Sequence, residues 1–295
     1  MSRPINSRVV VAVLVGLLLL AAGTGAFLQR PSSPATPRGP HGLVVIARPA
    51  PVLPVWPAAG ALLTDVSAEL PSGWSGFRVV IDAGHGAVGN DGNTSVRCEE
   101  EQDFTRRAAD SLAERLVAAG GLDVRRTRPD AKLVSYNNRI AMTESWPADA
   151  LIGLHSDARG SEEVALDPAM GCTGNRGSDG FSVLYSDEGS PELVAARLRL
   201  ARAIAARMVE AGFPAYVWDG YADLYDGDPQ HPGVFLDRHV PRKRIKMLRV
   251  PQVPAVIIET HQALDAEEVL RWDEPRTHDV FAEVIRAALI DFAAK

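Results

Sequence analysis

From Phe77 onward, short unbroken apolar runs alternate with longer segments whose apolar residues recur every three or four positions. The first run, residues 77–82 (FRVVID), stops at Ala83-Gly84-His85-Gly86. An apolar run ended by glycine predicts a buried strand feeding a tight turn. Residues 101–119 come next, with Phe104, Ala108, Leu112 and Leu116 on one helical face and Gly120-Gly121 as the stop. Residues 122–127, 148–155 (ADALIGLH) and 181–185 (FSVLY) read as further strands. Ser190, followed by Pro191, is placed to cap a long helix bearing Leu193, Leu200 and Ile204. The last buried strand is 253–259 (VPAVIIE). Asp265 and Glu268 then make a capping box, and a final helix carries Phe281, Val284, Ile285, Ala288 and Phe292.

Strands that alternate with helices imply an α/β fold. We expect a single domain with a mostly parallel, twisted sheet covered by helices on both faces. Such sheets bind ligands beyond the carboxyl ends of their strands, and the polar residues at those ends are His85, His155 and Glu259.

The first 75 residues follow another pattern. Residues 9–27 (VVVAVLVGLLLLAAGTGAF) carry no charge and follow Arg3 and Arg8. Nineteen apolar or small residues can span a bilayer, and the basic flank sets the amino terminus inside. Residues 1–29 are therefore either a cleaved signal peptide or a retained membrane anchor, and both readings stand. Residues 30–75 hold prolines at 31, 34, 37, 40, 49, 51, 54 and 57, which forbid helix and favour an extended linker. The expected order is leader or anchor (1–29), Pro-rich linker (30–75) and catalytic domain (76–295), with export to the cell envelope.

Composition narrows the chemistry. The chain has 31 basic and 37 acidic residues, a net charge of −6, and its arginines form no stripe. No nucleic-acid partner is expected. Two cysteines, Cys98 and Cys172, make neither a zinc knuckle nor a disulfide scaffold. They are open to pairing in an oxidising compartment, where the bond would tie the glycine-rich stretch 156–180 beside Glu101, or to remaining two free thiols. HExxH, HxxE and GxSxG are all absent, which argues against common zinc peptidases and serine hydrolases.

Taken alone, His85 is a turn residue, and Glu101 is a first-turn carboxylate favoured by the helix dipole. His155 ends an apolar strand that has no packing need for imidazole. Together, two histidines and one glutamate from three element ends make a zinc set with one open position. Glu259 closes another buried strand at the same edge, where a carboxylate is costly unless it is paired or used.

These residues carry a resemblance to the zinc-dependent N-acetylmuramoyl-L-alanine amidases of the amidase-3 type, from Arg78 to the C-terminus. A DPGHGG-like turn is matched by Asp82-Ala83-Gly84-His85-Gly86. A Glu-Lys-x-Phe helix start is matched by Glu101-Gln102-Asp103-Phe104, rather than by Glu99 or Glu100. Val124, Thr127, Arg128 and Asp130 fit a V-x-x-TR-x-x-D segment, and Arg139 fits the arginine before the next strand. Residues 148–158 fit ADLFISIHANA, and 247–259 fit a VLR…VPAVLVE segment. The resemblance implies one Zn2+ per chain held by His85, Glu101 and His155, with Glu259 as the catalytic acid and base. The implied partner is peptidoglycan, cut at the amide between muramic acid and the L-alanine of the stem peptide. It leaves open an activator protein, and a catalytically weak or inactive homologue in the envelope that binds peptidoglycan or regulates. The sequence departs from the family pattern at Ala87, Thr143-Glu144, Ser156-Asp157 and Thr260-His261-Gln262, all of which bear on the groove wall. His261 fits either an extra groove donor or a structural position.

Overall fold

A computed structural model describes residues 63–160, 165–167, 170–175, 177–217 and 224–294. The expected leader and most of the expected linker lie outside the described residues. Among the described residues, no helix is long and apolar enough to cross a membrane.

In chain order the elements are β1 (Arg78–Ala83), α1 (Glu101–Ala119), β2 (Asp123–Arg126), α2 (Tyr136–Ser145) and β3 (Ala150–Asp157). A small hairpin follows, β4 (Ala165–Leu166) with β5 (Thr173–Gly174). Next come β6 (Ser182–Tyr185), α3 (Pro191–Glu210), β7 (Tyr225–Gly227), β8 (Val234–Asp237), α4 (Lys246–Arg249), β9 (Ala255–Gln262), α5 (Ala266–Arg271) and α6 (Pro275–Ala293). Seven strands form one sheet in the order β2-β1-β3-β9-β6-β8-β7. Strands β2, β1, β3 and β9 are parallel; β6 is antiparallel to β9, β8 parallel to β6, and β7 antiparallel to β8. The sheet is thus mixed, with a parallel core as expected.

Alternation along the central strands sorts side chains into two layers. Val79, Ile81, Ile152, Leu154, Val256 and Ile258 face one layer, shared with Leu112 and Leu116 of α1, Leu200 and Ile204 of α3, and Val284 and Ile285 of α6. Val80, Leu151 and Ile257 face the other, under Ile140 of α2 and Met247 and Leu248 of α4. The helices obey their signals: Ser190 Oγ accepts from Leu193 N in α3, and Asp265 accepts from Glu267 N and Glu268 N in α5. The side chain of Glu268, however, does not close a capping box. Its carboxylate accepts from Gln262 N (2.6 Å) and Gly180 N (3.0 Å), joining β9 to the start of β6.

The described end of the stretch expected as linker packs on the domain. Leu63 and Val66 are buried in the larger apolar layer, and Trp74 Nε1 donates to Gly121 O at 2.6 Å. Thr64 N donates to Ala211 O (3.0 Å), and Arg286 Nη1 to Ala68 O (2.9 Å). Two aliphatic side chains with an apolar surface to cover explain why this part of the chain is docked.

Candidate active site

Register decides the placement of the first pair. His155 of β3 lies directly opposite Glu259 of β9 in parallel pairing, so the two share a sheet face on adjacent strands about 4.8 Å apart. The third residue comes from the turn after β1. His85 has φ +56°, a left-handed conformation that turns the chain back over the sheet edge, and Gly86 continues it at φ +62°.

Buried polar groups hold that turn. Arg139 of α2, fully buried, donates to Ala83 O (2.7 Å), Val134 O (3.0 Å) and Asp82 Oδ1 (3.2 Å), and also to His85 O. Thr127 Oγ1 donates to Asp82 as well. From the other side, Thr105 Oγ1 donates to Gly84 O (2.7 Å), and Arg128 bridges Gly84 O and Gln102 O. The turn carrying His85 and the helix start carrying Glu101 are therefore fastened to each other. Gly84 lets the His155 ring lie against the same turn, since a Cβ there would meet His155 Nε2 at 2.5 Å.

Glu101 is buried in the first turn of α1 and is the hub of the site. His85 Nε2 lies 2.9 Å from its Oε2, and His155 Nδ1 lies 3.0 Å from its Oε1. Ser156 N donates to Oε1 (3.0 Å), and Asn93 donates to Oε2 from both N (3.1 Å) and Nδ2 (2.8 Å). Ligand atoms of His85, Glu101 and His155 all lie within 4.8 Å of one another. Glu99 and Glu100 are turned elsewhere, Glu99 to Arg107 and Glu100 to Gln102.

Burial alone would raise the pKa of Glu101, but hydrogen bonds from His155 and His85 hold it far below the usual carboxylate range. Burial likewise opposes charge on His85, yet Glu101 outweighs it and keeps the imidazole above its ordinary value. Glu259 moves the other way. Burial first, then the negative charges of Asp157 and Glu101, push it well above the usual carboxylate value. Two carboxylates in one site thus have proton affinities shifted in opposite directions.

A cleft of about 440 Å³ opens over these groups. His85, Asn90, Asn93, Glu101, His155, Asp157 and Glu259 line it, as do Tyr136 from α2 and Ile245, Lys246 and Met247 around α4. Two of these lining residues hold a buried side-chain oxygen, Asn93 Oδ1 and Glu259 Oε2, with no hydrogen-bond partner among the described residues. Two imidazole nitrogens, a carboxylate oxygen and these unpaired oxygens fit a divalent cation and a polar ligand.

The sequence reading missed the residues that orient this set. Asn90 Oδ1 meets His85 Nδ1 at 2.6 Å, and Asn90 Nδ2 donates to Tyr136 Oη at 2.8 Å. Asn93 ties Glu101 to Ser156 O (2.6 Å). The only signal was their place in the Gly-Asn-Asp-Gly-Asn run before α1. His261, left open between two roles, does not line the cleft. It is buried between Phe104 and Trp272, stacked on the indole at 5.7 Å. Cys98 and Cys172 form a disulfide, joining the loop before Glu101 to the β4–β5 hairpin.

Residues 79–291 match the family profile described as N-acetylmuramoyl-L-alanine amidase, of the amidase-3 type. No curated protein sequence matches the chain. Among solved structures, the fold is similar to an N-acetylmuramoyl-L-alanine amidase from Clostridium difficile 630, with 19% identity and a TM-score of 0.56 over 75% of this chain and 98% of that one. An amidase of Mycobacterium smegmatis gives 20% identity and a TM-score of 0.56, covering 75% and 98%. One of Nostoc punctiforme gives 18% and 0.53, covering 74% and 98%. At such identities the likeness speaks to the fold alone.

Proposed function

This chain belongs to the N-acetylmuramoyl-L-alanine amidase family, and from that premise we propose that it is a zinc-dependent hydrolase of peptidoglycan. The bond cut is the amide between N-acetylmuramic acid and the L-alanine of the stem peptide. The observation that carries the reading is the convergence of His85, Glu101 and His155 within 4.8 Å, with Glu259 opposite His155 in register.

In this reading His85, Glu101 and His155 hold one Zn2+. When bound, zinc polarises the scissile carbonyl and lowers the pKa of a coordinated water. Glu259, made basic by burial and by Asp157, takes a proton from the attacking water. It then returns that proton to the departing L-alanine nitrogen as the C–N bond breaks, leaving a muramic carboxylate and a free amine. Asn90 and Asn93 fix the His85 ring and the Glu101 carboxylate.

The substrate lies outside the cytoplasmic membrane, so the leader or anchor over 1–29, the linker and export to the envelope belong to the same proposal. The disulfide supports it, since such bonds persist in oxidising compartments. Mass spectrometry of sacculi digested by the zinc-loaded protein identifies the bond broken. We expect free stem peptides beginning with L-alanine, and Glu259→Gln should slow their release by about 10²- to 10⁴-fold. A Glu259→Gln protein as fast as wild type would refute the acid–base assignment. A protein that binds zinc and sacculi but releases nothing would instead be a binding homologue.

A further inference from the structure

The floor of the cleft gathers three carboxylates, Glu101, Asp157 and Glu259, and its α4 wall is largely apolar, formed by Ile245 and Met247 with Ile257 of β9. One cation stands in that wall. Lys246 is the sole lysine or arginine lining the cleft among the described residues, and its side chain is half-buried. Ile257 lies two residues before Glu259 on the same face of β9 and packs in the same layer as Met247. The wall bearing Lys246 therefore continues the line that leads away from Glu259.

Three nearby arginines are already neutralised. Arg238 pairs with Asp187 and Asp226, Arg244 with Asp187 and Glu188, and Arg249 with Glu188. Lys246 has no carboxylate partner among the described residues. Its Nζ donates to the neutral amide oxygen of Asn137 at the start of α2. An ammonium has three donors, so two remain for a ligand. Arg242 and Lys243, exposed in the preceding turn, also form no ion pair among the described residues and add to the local positive charge. In a chain of net charge −6, this is an unmatched cation in a substrate-sized cleft.

Resting on the amidase reading, we propose that Lys246 binds a free carboxylate on the stem-peptide residue after L-alanine, and so selects acidic over amidated stem peptides. Two residues of extended chain reach about 7 Å, so this carboxylate stays within a short span of the scissile nitrogen. A carboxamide at that position offers no charge, and an ammonium–carboxylate hydrogen bond is about twice as strong as a neutral one.

The test uses two synthetic muropeptides that differ only in that group, carboxylate against carboxamide. Wild type should cleave the acid with kcat/KM higher by about fivefold, carried by KM and shrinking with added salt. In Lys246→Gln the ratio should fall to about one, while Lys246→Arg should keep it above one. If Lys246 merely props α4 on α2, then Lys246→Gln and Asn137→Ala will slow both peptides equally, and the proposal fails. It fails too if wild type shows no preference, or if Lys246→Gln leaves the preference intact. Affinity of the zinc-loaded Glu259→Gln protein for the two peptides reads the same ratio without turnover. Absence of cleavage by wild type would then count against the amidase reading alone.

Discussion

At the scale of single residues, the site depends on one glycine that no chemical argument would single out. Gly92 sits at φ +86°, and a Cβ there would meet Glu101 Cβ and Oε2 at 2.6 Å and His85 Cδ2 at 2.9 Å. Gly92→Ala should push both side chains apart and weaken the proposed zinc binding by about 10- to 100-fold, as loss of outer support does elsewhere. Competition against a chelating dye measures this, and an unchanged zinc affinity would show that the loop yields. His261 makes a second residue-scale case. Burial pushes its pKa down to about 3, against about 6.5 in an unfolded chain. The unfolded state then binds a proton that the folded state refuses, so stability is lost as pH falls from about 6.5 toward 3. His261→Leu should flatten that loss, as read from denaturant midpoints at pH 7 and pH 4. The four residues proposed to carry the chemistry, which the fold brings together, stood out in the sequence because each ends an apolar run or begins a helix. Asn90, Asn93 and Gly92 were not, because their roles arise only when an irregular loop folds against a distant strand.

Among the elements, the central strands and long helices were readable because burial leaves its period in the sequence. β1, β3, β9, α1, α3 and α6 each carry it. α2 and α4 cover the smaller layer with few apolar residues, Ile140 and Met247-Leu248, so their patterns are faint. β7 and β8 are only three and four residues long, and turn-forming Asp228, Pro229 and Pro232 intervene. The β4–β5 hairpin is attached by a covalent bond and by backbone hydrogen bonds from Cys172 N to Val96 O (3.2 Å) and Asn175 N to Leu264 O (2.8 Å), none of which leaves a pattern. The cystine between Cys98 and Cys172 spans 74 residues of sequence. Closing a loop of that length restricts the unfolded chain by about 4 kcal/mol in the chain-entropy model. The double substitution Cys98→Ser with Cys172→Ser should lower the unfolding free energy by roughly 2–4 kcal/mol in urea titration. A change below about 0.5 kcal/mol would mean that the hairpin contributes little to the folded state.

For the whole molecule, the boundary between linker and domain lies earlier in space than composition suggests. Proline spacing made residues 30–75 look uniform, yet Leu63 and Val66 are buried beside α3 and α6, and Trp74 reaches Gly121. Fully burying one such aliphatic side chain stabilises by about 1.5–3 kcal/mol. A chain beginning at Phe77 should therefore be less stable than one beginning at Leu63, by about 3 kcal/mol or more. Calorimetry of the two would test this, and equal midpoints would return residues 63–76 to the linker.

The reversed course of β6 has a practical side. Because Ser182 and His155 both lie level with Glu259, the chain leaves β3 and enters β6 on a single rim. A graft between Asp157 and Phe181 need not thread the sheet, and each doubling of its length costs only about 0.6 kcal/mol in closure entropy. New peptides can be spliced into that rim provided that Arg159 and Gly180, which bond to Ser182 and Glu268, are kept with Cys172 as anchor points, while the scaffold beneath stays unedited.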